Sequence, residues 1–514
     1  MTLEELVGQK LVLGIEGSRL TPAVTDLFRS THAGGLILFR RNFESAEGLC
    51  KLISDIETAV GRKLLVMVDH EGGRVIHFAE GITVFPDAQA AGQGRSVEEV
   101  RQQGEIEALE LRRLGIDLNL APVLDVLANE WNPAIGTLSY GKNPELVAQM
   151  ARARILGIQS QGLSACAKHF PGLGEAVLDP HGKLPVIRKT WKELKQHDLI
   201  PFKTAFETGV DCVMSSHPVY SEIDPDSPAT FSRRIIHDYL RIELGFTGMV
   251  LSDDLKMGAV SNTAPLQEIA PLTVKAGHDL ILVCSDPQSQ QEAFHSLVWA
   301  YKKKDLKNSE LEESIERIQK LKVKNRERSQ NPNPVKNSGN EIARLIARKG
   351  AEILQNGNGL LSLSSAWCGR HSLLAIFPDL SNVAKERFIE PETLAPETFL
   401  KKIFSRFGVG LKKVETVSTC CDEKEKMKIV QKASETDLVF FFCWDAHLFP
   451  EQRELLKALQ EKSPRLVVFL LREPLDQKWL SPKTACVSAY GFRACQIEAA
   501  VEKLFSGTGF SIII

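Results

Sequence analysis

The chain reads as an α/β protein of two parts: an N-terminal (β/α)8, TIM-like barrel, then a smaller C-terminal α/β domain of the αβα-sandwich kind. Three observations predict this. Short apolar runs alternate with amphipathic helical stretches over roughly the first 300 residues, the size and rhythm of such a barrel. The runs are apolar through their length, as strands covered on both faces must be. Polar, chemically capable residues recur where the runs end, which is where a parallel barrel assembles its site. An open doubly wound sheet is the alternative, because periodicity does not establish closure.

The barrel strands, in order, are KLVLGI (10–15), GGLILF (34–39), KLLVMVDHE (63–71), IDLNLAPVLDV (116–126), LSACAKHF (163–170), DCVMSSHP (211–218), GMVLSDDL (248–255) and DLILVC (279–284). VEEVRQQGEIEALELRRLG, ending at Gly115, is the clearest helix between them. The run-end residues are Asp69-His70-Glu71, Asp125, Lys168-His169, His217 and Asp253-Asp254. A charged amphipathic helix, 311–328, closes the first part, so the barrel is expected over 1–328. Asn, Pro, Ser and Gly over 329–340 have the composition of an exposed linker. The second domain, 341–514, has candidate strands HSLLAIF (371–377), DLVFFFC (437–443), RLVVFLL (465–471) and ACVSAY (485–490). Gly357 and Gly359 read as a turn, and no glycine-rich phosphate loop is present.

Bulk properties narrow the function. At 514 residues the chain exceeds one ordinary core. Its 63 Lys+Arg balance 65 Asp+Glu, which argues against nucleic acid or a membrane surface as partner and fits a small neutral substrate. The N-terminus enters a helical pattern at once and carries Glu4 and Glu5, unlike a secretory signal, and no run of about 20 apolar residues spans a bilayer. The ten cysteines form no C-x-x-C pair. A cytoplasmic protein with reduced thiols, no metal and no cofactor is the expectation.

Two segments carry chemistry. In KHFPGLGEAVLDPHGKLP (168–185), Asp179 and His181 flank Pro180. Residues two apart in an extended segment share a side, and proline favours that geometry in Asp179. The carboxylate can then orient the imidazole and stabilise its protonated form, so that His181 serves as acid and then base. A turn with an Asp cap and an exposed His has the same spacing. In GFTGMVLSDDLKMGAV (245–260), an aspartate at a strand end suits covalent capture of an oxocarbenium-like centre, although Ser-Asp-Asp is also an N-cap sequence.

With DHEGGRV (69–75), IGTLSYGKNPELV (135–147) and VMSSHP…DPDSPATFS (213–232), these segments resemble glycoside hydrolase family 3, in its β-N-acetylglucosaminidase (β-hexosaminidase) branch. The second domain, entered through IARKGAEILQNGNGLL (346–361), looks like the family's C-terminal layer. The resemblance implies Asp253 as nucleophile, His181 as acid/base, Asp179 as its partner, and Asp69, Lys168 and His169 as sugar-binding residues. The implied activity is retaining hydrolysis of terminal β-linked N-acetylglucosamine from small carbohydrates or muropeptides, as in peptidoglycan recycling. Three segments depart from the family pattern: Leu138 and His77 stand where arginines are usual, and Pro171-Gly172-Leu173-Gly174-Glu175 replaces Pro-Gly-His-Gly-Asp. Leucine cannot replace an arginine's charge-assisted fork. His77 is expected to be a shorter, partly protonated donor.

Competing readings are phosphorolysis, since a His acid/base does not repel phosphate; a non-catalytic sugar-binding or regulatory homologue with a decayed glycone pocket; and a metal-dependent hydrolase using His70, His169, His181 and His217.

Overall fold

A computed structural model describes residues 1–330, 337–362 and 365–505. Eight parallel strands close into a barrel in chain order: β1 (Leu11–Gly14), β2 (Gly35–Leu38), β3 (Leu65–Val68), β4 (Leu118–Asn119), β5 (Ser164–Phe170), β6 (Cys212–Ser215), β7 (Met249–Asp254) and β8 (Leu280–Val283). Closure is made by β1 against β8, with Leu11 opposite Ile281 and Leu13 opposite Val283. The open-sheet alternative is thereby excluded. Almost every strand residue is buried, because helices cover the outer face and side chains fill the interior.

Local signals set the helices around it. Ser45 accepts from the Gly48 N–H and starts the helix Ala46–Val60, which buries Leu49, Leu52, Ile53 and Ile56. That i, i+3, i+4, i+7 spacing is one helix face, and it packs into the barrel's core cluster. Asn143 caps Pro144–Ser160 in the same way, with proline at the first helical position.

The chain divides into two compact units, each with its own sheet. The first comprises Met1–Glu71, Val75–Thr83 and Val97–Ser338; the second takes Gly72–Arg74, Val84–Ser96 and the chain from Gly339 on. Of the expected linker, 331–336 lie outside the described residues, as do 506–514 of the expected second domain. The second unit carries a six-stranded sheet of β9 (Glu352–Asn356), β10 (Leu373–Asp379), β11 (Lys413–Ser418), β12 (Leu438–Cys443), β13 (Leu466–Leu470) and β14 (Ala485–Ser488). Their order is β9-β14-β13-β12-β10-β11, parallel except for β9 against β14. Apolar clusters lie on both faces, including Phe377, Phe440 and Phe469 on one and Ile376, Phe441 and Val468 on the other. The Gly357–Ser362 segment is a 3-10 turn. Among the described residues, no helix is long and apolar enough to cross a membrane.

Candidate active site

The polar run ends converge where β3 to β7 finish. Lys168, in β5, sets its Nζ 2.5 Å from Asp69 Oδ1 and 2.6 Å from Glu71 Oε1. Burial alone would favour the neutral amine, but the two carboxylates raise its pKa above the ordinary lysine value, so it is a fixed cation. Glu71 is itself held from behind: Arg154 donates to its carbonyl at 3.2 Å and pairs with Glu107 at 2.5 Å. Arg154 and Glu107 lie on the helices Pro144–Ser160 and Val97–Arg113.

His169 is oriented by Asp125, which follows β4. Its Nδ1 lies 2.7 Å from Asp125 Oδ2, and its backbone N–H donates to the same oxygen at 3.2 Å. Burial opposes a charged ring, yet the Asp125 carboxylate raises its pKa. Asp125 Oδ1 meanwhile accepts from the Leu173 N–H at 2.6 Å, so one buried carboxylate orders the imidazole and the turn after it.

The two aspartates ending β7 differ sharply. Asp254 Oδ1 accepts backbone N–H groups from Cys284 (3.0 Å) and Lys256 (3.1 Å), and burial raises its pKa. Both are partly accessible, but Asp253 makes a different contact: its Oδ1 accepts the Asp254 N–H at 2.8 Å. Burial would raise its pKa, but His217, His169 and Lys168 together hold it below the ordinary carboxylate value. Asp253 is therefore an ionised carboxylate at the end of β7. His217 is fixed behind it by Thr230 Oγ1 (2.7 Å at Nδ1) and the Asp254 carbonyl (3.2 Å at Nε2), with burial lowering its pKa. Thr230 Oγ1 in turn donates to the Ser216 carbonyl at 2.9 Å, so the strand end, the ring and the hydroxyl form one connected chain.

Asp179 and His181 meet as their spacing predicts. Asp179 Oδ1 lies 2.7 Å from His181 Nδ1 and accepts the His181 N–H at 2.9 Å. The pair is open to solvent, with side chains 44% and 75% exposed. Its loop docks on the segment after Asp253-Asp254: the Gly258 N–H donates to the His181 carbonyl (2.9 Å) and the Ala259 N–H to that of Pro180 (3.0 Å). Glycine is required there, since a Cβ on Gly258 would lie 2.9 Å from the His181 oxygen. At the loop's base Lys189 pairs with Glu175 and Asp198, both at 2.7 Å, and a Cβ on Gly174 would strike the Val126 carbonyl. Glu175 thus serves as an anchor for this loop.

His77 differs from expectation. Burial lowers its pKa to about 4 against the pull of Asp69, and the ring packs edge-on to Phe39 at 5.5 Å. It is a neutral ring, because desolvation outweighs the nearby carboxylate. Leu138 is buried in a 3-10 turn and belongs to the barrel's core cluster.

Among the described residues, the group with metal-like convergence is Asp445, His447 and Glu473, with ligand atoms within 4.8 Å of one another. It lies in the second unit and includes none of His70, His169, His181 and His217. Its acids are already paired. Arg472 donates to Asp445 and lies 3.4 Å from Glu473, and Arg74 lies 3.6 Å from Glu473. The supporting residues that sequence reasoning missed are Arg154, Glu107 and Thr230. The helix pair conforms to amphipathic patterns, and Thr230 lies within the 213–232 motif without having been singled out.

Residues 2–321 match the glycosyl hydrolase family 3 N-terminal domain. The chain is 38% identical over 299 residues to a beta-hexosaminidase of Nitrosomonas eutropha, covering 57% of this chain and 85% of that one. It is 40% identical over 293 residues to a beta-hexosaminidase of Thioalkalivibrio sulfidiphilus, covering 56% and 84%. A glycoside hydrolase family 3 beta-N-acetylglucosaminidase from Paenibacillus sp. superimposes with a TM-score of 0.90 at 29% identity, covering 99% of this chain and 98% of that one.

Proposed function

The chain belongs to glycosyl hydrolase family 3, and from that premise we propose that it hydrolyses terminal β-linked N-acetylglucosamine with retention of configuration. In this reading Asp253 attacks the anomeric carbon while His181, its Nδ1–H held by Asp179, donates the Nε2 proton to the glycosidic oxygen. The glycosyl–Asp253 ester forms as the bond to the leaving group breaks. His181 then takes a proton from water, which attacks the same carbon and releases Asp253. Asp69, Lys168, His169 and the neutral His77 hold the sugar. The substrate class is a small carbohydrate or muropeptide, and the setting is peptidoglycan recycling in the cytoplasm.

The observation that carries the reading is the ionised Asp253 together with the Asp179–His181 pair, 2.7 Å apart, whose loop docks just beyond the Asp253-Asp254 strand end. A carboxylate nucleophile and a mobile proton are what glycosyl transfer through a covalent ester needs. Hydrolysis of a chromogenic N-acetylglucosaminide beside the matching glucoside tests the substrate. Turnover of the first and little of the second is expected, and the reverse order would overturn the assignment. His181→Ala should cost about a hundredfold or more on a poor leaving group and far less in the first step on an acidic phenol. Equal losses on both would remove the acid role from His181.

A further inference from the structure

Deepening that reading, and resting on it, we infer that Trp131, with Val177 and Leu178, forms an apolar shelf that receives the leaving group, and that the leaving group it fits is a second pyranose ring. The proton donor defines where the leaving group lies. A side chain that protonates the glycosidic oxygen must border the group being expelled, so whatever flanks His181 borders the leaving group as well. What precedes the dyad is apolar: Val177 is 67% and Leu178 38% exposed, directly ahead of Asp179.

The loop after β4 brings a third apolar side chain to the same rim. The Asn129 N–H donates to the Gly174 carbonyl and its Nδ2 to the Ala176 carbonyl, both at 3.1 Å, and Asn132 Nδ2 donates to the Leu173 carbonyl at 2.8 Å. The same two asparagines shape their own loop. Asn129 Oδ1 accepts the Trp131 N–H, and Asn132 Oδ1 accepts those of Ala134 and Ile135, all at 3.0 Å. Trp131 therefore stands between two residues bonded to the stretch leading into Val177, and it is 46% exposed.

A tryptophan held half in water on so well-tied a loop leaves apolar area uncovered, and contiguous exposed apolar area rimmed by polar groups marks a ligand-binding surface. A pyranose ring offers what such a shelf takes: a flat face of C–H groups to lie on the indole, with its hydroxyls left to solvent. A small alkyl leaving group has no such face to offer, and a charged chain would gain nothing from an apolar shelf.

The test compares three variants with the wild type on substrates sharing one glycone: methyl N-acetylglucosaminide and N,N'-diacetylchitobiose. Trp131→Ala should lower kcat/KM on the disaccharide about tenfold, Trp131→Phe should keep most of it, and both should leave the methyl glycoside within about twofold. Leu178→Ser should repeat the pattern more weakly, and melting curves establish that each variant is folded. Equal losses on the two substrates, or none on the disaccharide, would overturn the shelf. A wild type that hydrolyses neither would instead sink the proposed activity. The shelf is then read separately by equilibrium titration of chitobiose and of N-acetylglucosamine: weaker binding of the disaccharide alone in Trp131→Ala supports it, and unchanged binding overturns it.

Discussion

Asp253, at the end of β7, and Asp445, just past the end of β12, are both carboxylates set where parallel strands finish, one in each unit. Around Asp253 the compensating charges stand back: Lys168 is taken up by Asp69 and Glu71, and His169 by Asp125. Its pKa is lowered by the field of His217, His169 and Lys168, and its only backbone donor is one N–H on Oδ1 among the described contacts. Around Asp445 the charges are in contact. Arg472 bonds it directly, Glu473 lies between Arg472 and Arg74, and Asp476 takes His447 Nδ1 at 3.0 Å and the Ala446 N–H at 2.7 Å. A strand-end acid becomes a reactive group when its charge is sustained at a distance and one edge stays open. Paired in contact, it becomes part of the framework. Arg472 and Arg74 hold Glu473 well below the ordinary carboxylate range against the effect of burial, whereas burial raises the pKa of Asp445 despite Arg472.

The largest effect that this contrast predicts is at Asp253. Asp253→Asn should lower kcat by about four powers of ten with little change in Tm, because a nucleophile is lost and no contact pair is broken. Asp254→Asn should act the other way round, giving a smaller kinetic loss and a lower Tm, since its carboxylate ties Cys284 and Lys256. Rates and melts that reversed this order would dissolve the distinction. Next is Arg472→Met, which leaves Asp445 and Glu473 short of a cation and should cost about 3–5 kcal/mol in urea unfolding of the second unit. Adding Asp445→Asn should recover part of that loss. Full additivity of the two losses would mean the side chains are not an interacting pair.

A third contrast sets the barrel's strand starts against its strand ends. His278, ahead of β8, is buried with Nε2 2.8 Å from Ser215 Oγ and Nδ1 2.9 Å from the Thr273 carbonyl. Burial lowers its pKa from 6.5 to about 4. The native state therefore binds fewer protons than the unfolded chain between those values. This contribution is complete above pH 6.5 and is lost as the pH falls toward 4, about 3 kcal/mol in all. His278→Gln should flatten that acid limb in denaturation curves; an unchanged limb would assign it to other groups. The smallest effect concerns the glycone pocket. Leu138→Arg should raise kcat/KM on an N-acetylglucosaminide by up to about tenfold, with a lower Tm because the leucine is packed in the core. A fall in kcat/KM in a folded variant would show that the leucine itself serves the sugar.

The elements and contacts that were legible in the sequence are the ones with local causes. All eight barrel strands fall within the mostly apolar runs, because a parallel strand covered on both faces is apolar except where it nears the site, as at Lys168-His169 and Asp253-Asp254. The central strands of the second sheet follow for the same reason. Its two edge strands did not: Glu352–Asn356 and Lys413–Ser418 are half-exposed and mix charged with apolar residues, as unpaired edges do. The Asp179–His181 contact was readable because two residues and a proline decide it. Which of the two strand-end aspartates is tied into the barrel frame was decided by Cys284, 30 residues from Asp254. The neutral state of His77 was decided by desolvation, and the support of Glu71 by Arg154, 83 residues on. Gly72–Arg74 likewise belong with the second unit, where Arg493 donates to the Gly73 carbonyl at 2.6 and 2.7 Å. Periodicity and short spacing record what neighbours in the chain must do, whereas burial and charge compensation are sums over groups that only the folded chain brings together.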